Sequence, residues 1–148
     1  MLAFREIRAD DIPSLFEVRT ATRENRYSLE ELERLGITPR SVGCMLGATH
    51  RGWLCEEAGS AVGFAMGDGS TGEMWVIAVL PSHEGMGIGS RLLRLVEGWL
   101  ASEGWREAWL TTDEDTSLRA HGFYLSEGWR DLEVRDGLRY MVKDLDEH

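Results

Sequence analysis

The chain has 148 residues, enough for one domain around a single hydrophobic core. Apolar residues make up 43% and charged residues 28%, a globular composition that excludes a disordered or membrane-embedded chain. The net charge of −10 argues against a nucleic-acid partner, which needs a basic face, and favours cationic small molecules or basic polypeptides.

In chain order, "AFREI" reads as a short strand. "ADDIPSLFEVRTAT" reads as a helix, with Asp10 or Asp11 as cap, Pro13 in the first turn, and Ile12, Leu15, Phe16 and Arg19 at helical spacing. "SLEELERLG" is a second helix, capped by Ser28, boxed by Glu31 and stopped by Gly36. "ITPRSVGCMLGATHR" is compatible with a third short helix. "GWLCEEAGSAVGFAMGD" alternates around the turn "EAGS" as a hairpin does. "EMWVIAV" is continuously apolar, which suits a central strand. A glycine-rich turn and an amphipathic helix follow, then strand "EAWLTT", helix "TSLRAHGFYLSEG", strand "WRDLEV", turn "RDG" and last strand "LRYMVKDL". No repeat or linker interrupts this order, so residues 1–148 read as one mixed α/β domain.

The turn carries the first chemical signal. In "LPSHEGMGIGSRLLRLVEGWL", Gly85, Gly87 and Gly89 alternate with Glu84, Met86 and Ile88, and Ser90 follows. From Ile88, the residues Leu92, Val96, Trp99 and Leu100 recur at helical spacing, with Leu93 and Leu95 widening the stripe and Arg91, Arg94 and Glu97 elsewhere. The helix therefore begins inside the glycine run. Its N-terminus offers unpaired N–H groups and a positive dipole end to an anion such as a diphosphate. No Gly-Lys-Ser/Thr closes a Walker loop, and G-x-G-x-G in mid-chain is not a dinucleotide fingerprint. A turn serving only chain reversal is the alternative for the glycines taken alone.

"AVLPSHEGMGIGSRLL" resembles the signature of the GNAT superfamily of acyl-CoA-dependent N-acetyltransferases, V-x-P-x-x-[QR]-G-x-G-[IV]-[GA]-x-x-L-[LM], at Val79, Pro81, Gly85, Gly87, Ile88, Gly89, Leu92 and Leu93. Downstream, "SLRAHGFYLSEGW" is similar to the family's N-x-x-A-x-x-F-Y-x-x-x-G-[FW], at Ala120, Phe123, Tyr124, Gly128 and Trp129. The opening "FREIRADDIPSLFEVR" also resembles the family's first strand and helix. The resemblance implies a mixed, mostly antiparallel central sheet of about six or seven strands flanked by helices, with the acyl-CoA site at a splayed central strand. It implies transfer of an acetyl group from acetyl-CoA to a primary amine, with no metal. The absence of an extra domain favours a small-molecule acceptor. A protein lysine or N-terminus as acceptor, or an acyl-CoA-binding regulatory module without turnover, are the alternatives.

Carried over residue by residue, the strand residues Ile77, Ala78 and Val79 would hold the pantetheine arm, with a backbone N–H near Ile77 facing the thioester oxygen. Glu84, Gly85, Met86, Gly87, Ile88, Gly89 and Ser90 would form the diphosphate cradle. The chain departs from the pattern at Glu84, Met86 and Ser117, where Gln or Arg, a basic residue and Asn are usual. The Glu84 carboxylate is expected to point away or to pair with Arg91 or Arg94, which could alternatively reach the 3′-phosphate. Ser117 stands at the pantetheine position, with a helix N-cap, contested by Thr116, as its other role. Tyr124 is the candidate acid for the departing thiolate, against a purely packed aromatic. Glu73 is the candidate base, against an exposed loop carboxylate. His83 and His121 are weaker candidates, either being more often a surface residue than a base.

The acceptor region would be Thr20 to Met45 with the loop before the last strand. There Arg23, Asn25, Arg26 and Tyr27 could recognise a carboxylate or polar amine. Six tryptophans at apolar positions suit a core. Cys44 and Cys55 lack metal-site partners and are too few for a disulfide framework. The charged start "MLAFREIRADD" is unlike a signal peptide, so a cytoplasmic protein without a membrane partner is expected. Hairpin edges and an unpaired last strand make a homodimer an open prospect.

Overall fold

The structure, a computed structural model, describes residues 1–22 and 28–145. Strand β1 (Leu2–Glu6) leads through a 3-10 turn into helix α1 (Ile12–Thr20). Asp11 holds the N-cap position of α1, but its carboxylate is used one turn earlier. It accepts the Arg8 N–H at 2.7 Å and both Arg5 guanidinium N–H groups at 2.7 and 2.8 Å. In helix α2 (Leu29–Arg34) the expected box closes both ways: Ser28 accepts the Glu31 N–H at 3.1 Å and Glu31 accepts the Ser28 N–H at 3.0 Å. The compatible third helix is present as α3 (Pro39–Ala48), capped by Thr38.

Strands β2 (His50–Glu57) and β3 (Ser60–Asp68) form the hairpin, and β4 (Glu73–Val79) returns beside β3. Then come α4 (Ile88–Ser102), β5 (Glu107–Asp113), α5 (Arg119–Ser126), β6 (Arg130–Arg135) and β7 (Leu138–Asp144). The seven strands make one sheet in the order β1-β2-β3-β4-β5-β7-β6, with β4 central. Every neighbouring pair is antiparallel except β4–β5. The last strand is not an edge: β7 lies between β5 and β6, and the fully exposed β6 is the free edge on that side.

Each face of the sheet has its own core. On one face, α1 and α3 cover Leu54, Phe64, Met66 and Ala78. On the other, α4 and α5 cover Val62, Met74, Leu110 and Met141. Helix α4 lies close enough that a Cβ at Gly67 of β3 would meet Val96 at 2.7 Å, so only glycine fits there. Its stripe Ile88, Leu92, Leu93, Val96 and Leu100 is fully buried. Glu97, expected off this stripe, is buried too: its carboxylate accepts from Trp129 Nε1 at 3.0 Å and Lys143 Nζ at 2.8 Å. Burial of that charge is sustained because both carboxylate oxygens are bonded.

Two irregularities shape the centre. Met66 pairs with Val76 and Gly67 with Met74, so Trp75 is an extra residue in β4. This bulge turns Met74 to the α4 face and Val76 and Ala78 to the α1 face. The parallel pairing of β4 with β5 is confined to Glu73 and Trp109, with Trp109 N–H donating to the Gly72 carbonyl at 3.2 Å. Beyond that point the two strands separate.

Candidate active site

The gap between the strands opens into a cavity of about 620 Å³, lined by β4 from Glu73 to Val79, by Thr111 to Asp113 of β5, and by the turn into α4. Backbone polarity in the gap follows from register. The Leu80 N–H donates to the Val62 carbonyl at 2.9 Å, and antiparallel bonds alternate, so Ala78 and Val76 also face β3. Ile77 and Val79 therefore direct their N–H and C=O groups into the gap, where β5 has moved away. A central strand with unpaired groups facing a cavity is a bonding edge for an extended amide chain. The sequence expectation named this pair of residues together with Ala78, whose backbone serves the β3 ladder instead.

At the C-terminal end of β4 the chain enters the glycine turn. Gly85 and Gly87 both have φ of +78°, the left-handed region that favours glycine, and both have open space where a Cβ would stand. Gly87 is the N-cap of α4 and no side chain caps it. The helical ladder starts with the Arg91 N–H on the Gly87 carbonyl at 3.2 Å, which leaves the N–H groups of Ile88, Gly89 and Ser90 without intrahelical partners. An uncapped 15-residue helix at the mouth of a cavity, with bare backbone and space in front of it, fits a diphosphate.

The side chains around this turn differ in part from expectation. Glu84 pairs with Arg119 at 2.8 Å, and not with Arg91 or Arg94. Arg119 belongs to α5, so the ion pair ties the cradle to the second motif and takes the negative charge at 84 off the glycine turn. Arg94 lies 3.7 Å from Glu127, and the Arg91 guanidinium lies over the Phe4 ring at 4.3 Å. The Ser90 hydroxyl donates to Glu127 at 2.8 Å, which leaves its backbone N–H for the cradle. The Met86 side chain is 51% exposed and does not line the cavity. Ser117 is neither on the cavity wall nor a helix cap. Its N–H and hydroxyl both go to Asp115, at 2.9 and 2.7 Å, and Leu118 is the N-cap of α5. The hydroxyl thereby closes the turn locally.

Two ionisable groups of opposite use meet the cavity. Tyr124 is buried, its ring packed on Phe123 at 5.3 Å and Trp129 at 6.1 Å between centroids. Burial pushes its phenol well above the ordinary range, with Arg19 of α1 acting weakly the other way, so the hydroxyl keeps its proton. Glu73 is half-buried on the cavity wall and is no exposed loop residue. Burial first, and the like charge of Asp68 second, push its carboxyl up to about 7. His83 is engaged with Glu57 at 3.0 Å and His121 with Asp131 at 3.0 Å. Arg23, Asn25, Arg26 and Tyr27 lie outside the described residues. Arg19, Trp75, Asp113 and Arg119 line the cavity and were not singled out as site residues. Arg19 had the one usable signal, a charged residue on the apolar stripe of α1. Among the described residues no group of three His, Cys, Asp or Glu could hold a metal ion, and no helix is long and apolar enough to cross a membrane.

The sequence model of the Acetyltransferase (GNAT) family matches residues 6–129. The fold is similar to that of the PaiA N-acetyltransferase from Thermoplasma acidophilum in complex with coenzyme A, at 18% identity over 97% of this chain and 99% of that one, with a TM-score of 0.83. It is similar to the ribosomal-protein-S18-alanine N-acetyltransferase from Escherichia coli, at 18% identity over 100% and 96% of the two chains, with a TM-score of 0.76. It is also similar to yncA from Salmonella typhimurium with its cofactor acetyl-CoA, at 22% identity over 99% and 95%, with a TM-score of 0.68. At these identities the likeness is one of fold. No curated protein sequence matches the chain.

Proposed function

The chain belongs to the GNAT acetyltransferase family, and from that premise we propose that it moves an acetyl group from acetyl-CoA to a primary amine, with a small molecule as acceptor. The observation that carries this reading is the continuity of the gap: the free backbone groups of Ile77 and Val79 lead directly to the uncapped N-terminus of α4. A pantetheine arm has amides to pair with the first, and a diphosphate has the charge for the second. The solved neighbours that carry coenzyme A and acetyl-CoA support the same ligand here.

On this reading each residue has one task. The Ile77 N–H stabilises the thioester oxygen as it gains charge. Glu73 takes a proton from the incoming ammonium. That step matters because an amine with pKa about 10.4 is free base in only roughly one molecule in a few thousand at pH 7. A carboxylate titrating near 7 accepts that proton more readily than one titrating near 4.5. Tyr124, on the cavity wall with its proton retained by burial, gives that proton to the departing thiolate and takes back the one the nitrogen sheds as the amide forms. A homodimer would form most simply along the exposed edge β6, and gel filtration decides it.

Calorimetric titration with acetyl-CoA tests the donor, with CoA, NAD and ATP in parallel and Gly87→Val as control. Micromolar binding of the CoA species, weakened at least tenfold by a β-branched residue at Gly87, is expected, because valine tolerates φ of +78° poorly and hides the N–H groups behind it. An amine screen with thiol detection then names the acceptor. Absence of any CoA affinity would sink the proposal.

A further inference from the structure

The hairpin that carries the candidate base sets a second carboxylate opposite it. Asp68 pairs directly with Glu73 across β3 and β4, and His50 of β2 pairs with Asp68, so three ionisable residues stand in one row across three strands. Directly opposed side chains in an antiparallel pair project from the same face, with Cβ atoms about 5 Å apart. Asp68 is held in place: its Oδ1 accepts the Ser70 N–H at 2.8 Å and the Ser70 hydroxyl at 2.6 Å. Burial alone would raise Asp68, but these bonds, with Coulombic help from His50, lower it overall.

His50 stands beside that charge without hydrogen-bonding it. Its Nε2 is 3.8 Å from Asp68, too long for a hydrogen bond, while its Nδ1 is 2.6 Å from the Thr49 hydroxyl and its ring meets Trp75 edge-on at 4.8 Å. Burial lowers the imidazole below its ordinary value, with the Asp68 charge acting the other way. Besides Tyr124, the other charged or titratable groups on the same cavity wall are Arg19 of α1, Asp113 of β5, His83 and Glu84 ahead of the glycine turn, and Arg119 of α5, which pairs with Glu84. Leu32 of α2, Leu35 just after it and Val42 of α3, which also line the wall, are apolar.

We propose that Asp68 is a positioning residue for Glu73: a fixed negative charge, anchored by Ser70 and set directly opposite on the neighbouring strand, that helps Glu73 hold a proton taken from the acceptor. The proposal rests on the reading of Glu73 as the base, and adds to it a charge that reinforces burial in fitting an ordinary glutamate to that work. Without Asp68 the carboxyl would ionise more easily and accept a proton less readily at neutral pH.

The test observes Glu73 directly, so no acceptor need be known. Protein labelled with ¹³C-carboxyl glutamate is titrated by NMR, and the Glu73 resonance is the one absent from Glu73→Gln. Asp68→Asn keeps an oxygen for Ser70 but removes the charge; it is expected to lower the Glu73 midpoint by roughly half a unit or more. Asp68→Glu, which keeps the charge, holds the midpoint near the wild-type value, as does Asp10→Asn on an exposed turn. An unchanged midpoint in Asp68→Asn overturns the proposal. Once an amine substrate is in hand, the acidic limb of kcat/KM moves down with the midpoint in Asp68→Asn; a uniform loss of turnover at every pH would mark a merely structural role and overturn it too. Loss of transfer in Glu73→Gln is a separate readout, and it decides only whether Glu73 is the base.

Discussion

An ordinary glutamate loses its proton near pH 4.5, whereas Glu73 keeps its own up to about 7. The same displacement has opposite consequences for catalysis and for stability. A base works when ionised, so on the proposed role of Glu73 kcat/KM is expected to rise with pH through about 7 and fall away below it. For folding the sign reverses. Between about 4.5 and 7 the folded state retains a proton that the unfolded state has lost, so stability declines across that window as pH rises. Glu73→Gln removes both effects. It is expected to lower acetyl transfer by on the order of 10²-fold or more. It should stabilise the fold at pH 8 by roughly 1–2 kcal/mol, less than the full displacement would give because the carboxylate is only half-buried. Urea unfolding at pH 5 and pH 8 checks this: the two proteins should coincide at the lower pH and separate at the higher, and a constant difference would refute the linkage. Tyr124→Phe makes the complementary case. Its ring stays packed on Phe123 and Trp129, so acetyl-CoA should bind as before while turnover drops on the order of 10²-fold. Unchanged turnover would assign the residue to packing alone.

At the scale of elements, β4 has one side committed to β3 and the other open along the gap. Proline makes that difference measurable, since it removes a backbone N–H. Ala78→Pro deletes a bond of the β3 ladder and should lower the melting temperature sharply. Ile77→Pro deletes an N–H that serves no strand; the protein should stay folded by circular dichroism, with a smaller loss of melting temperature, and lose acetyl transfer. Equal destabilisation by both would mean that the gap is paired within the fold. This asymmetry was half legible in the sequence. The continuous apolar run "EMWVIAV" announced a central strand and the glycine run announced a helix N-terminus, because both signals are local in period and composition. The bulge at Trp75 was not legible, since it arises from register against β3, and neither was the position of β7 between β5 and β6. The site divides in the same way. Gly87 and Tyr124 could be read from motifs, whereas the Glu84–Arg119 pair joins residues 35 apart in sequence that only packing brings together. The motif gave no sign that the Ser117 hydroxyl would bond Asp115, two residues away.

At the scale of the whole molecule there is an electrostatic opposition to resolve. The chain carries a net charge of −10, and a CoA donor is itself a polyanion. Long-range repulsion therefore acts against an attraction that is local to the N-terminus of α4. Salt separates the two by distance. The Debye length shrinks from about 30 Å at 0.01 M to about 8 Å at 0.15 M, so added salt screens the overall repulsion strongly and contacts at the cradle much less. The amine acceptor stands in the opposite relation, since a cation is drawn toward an acidic protein at every distance. Raising ionic strength over that range should leave the KM for acetyl-CoA unchanged or lower it, while the KM for a cationic acceptor rises several-fold. Initial rates measured over a matrix of both substrates at the two salt concentrations read both effects in one experiment. If the KM for acetyl-CoA rises steeply with salt, distributed positive charge and not the neutral backbone of the glycine turn holds the donor, and Arg91 and Arg94 become the residues to replace next.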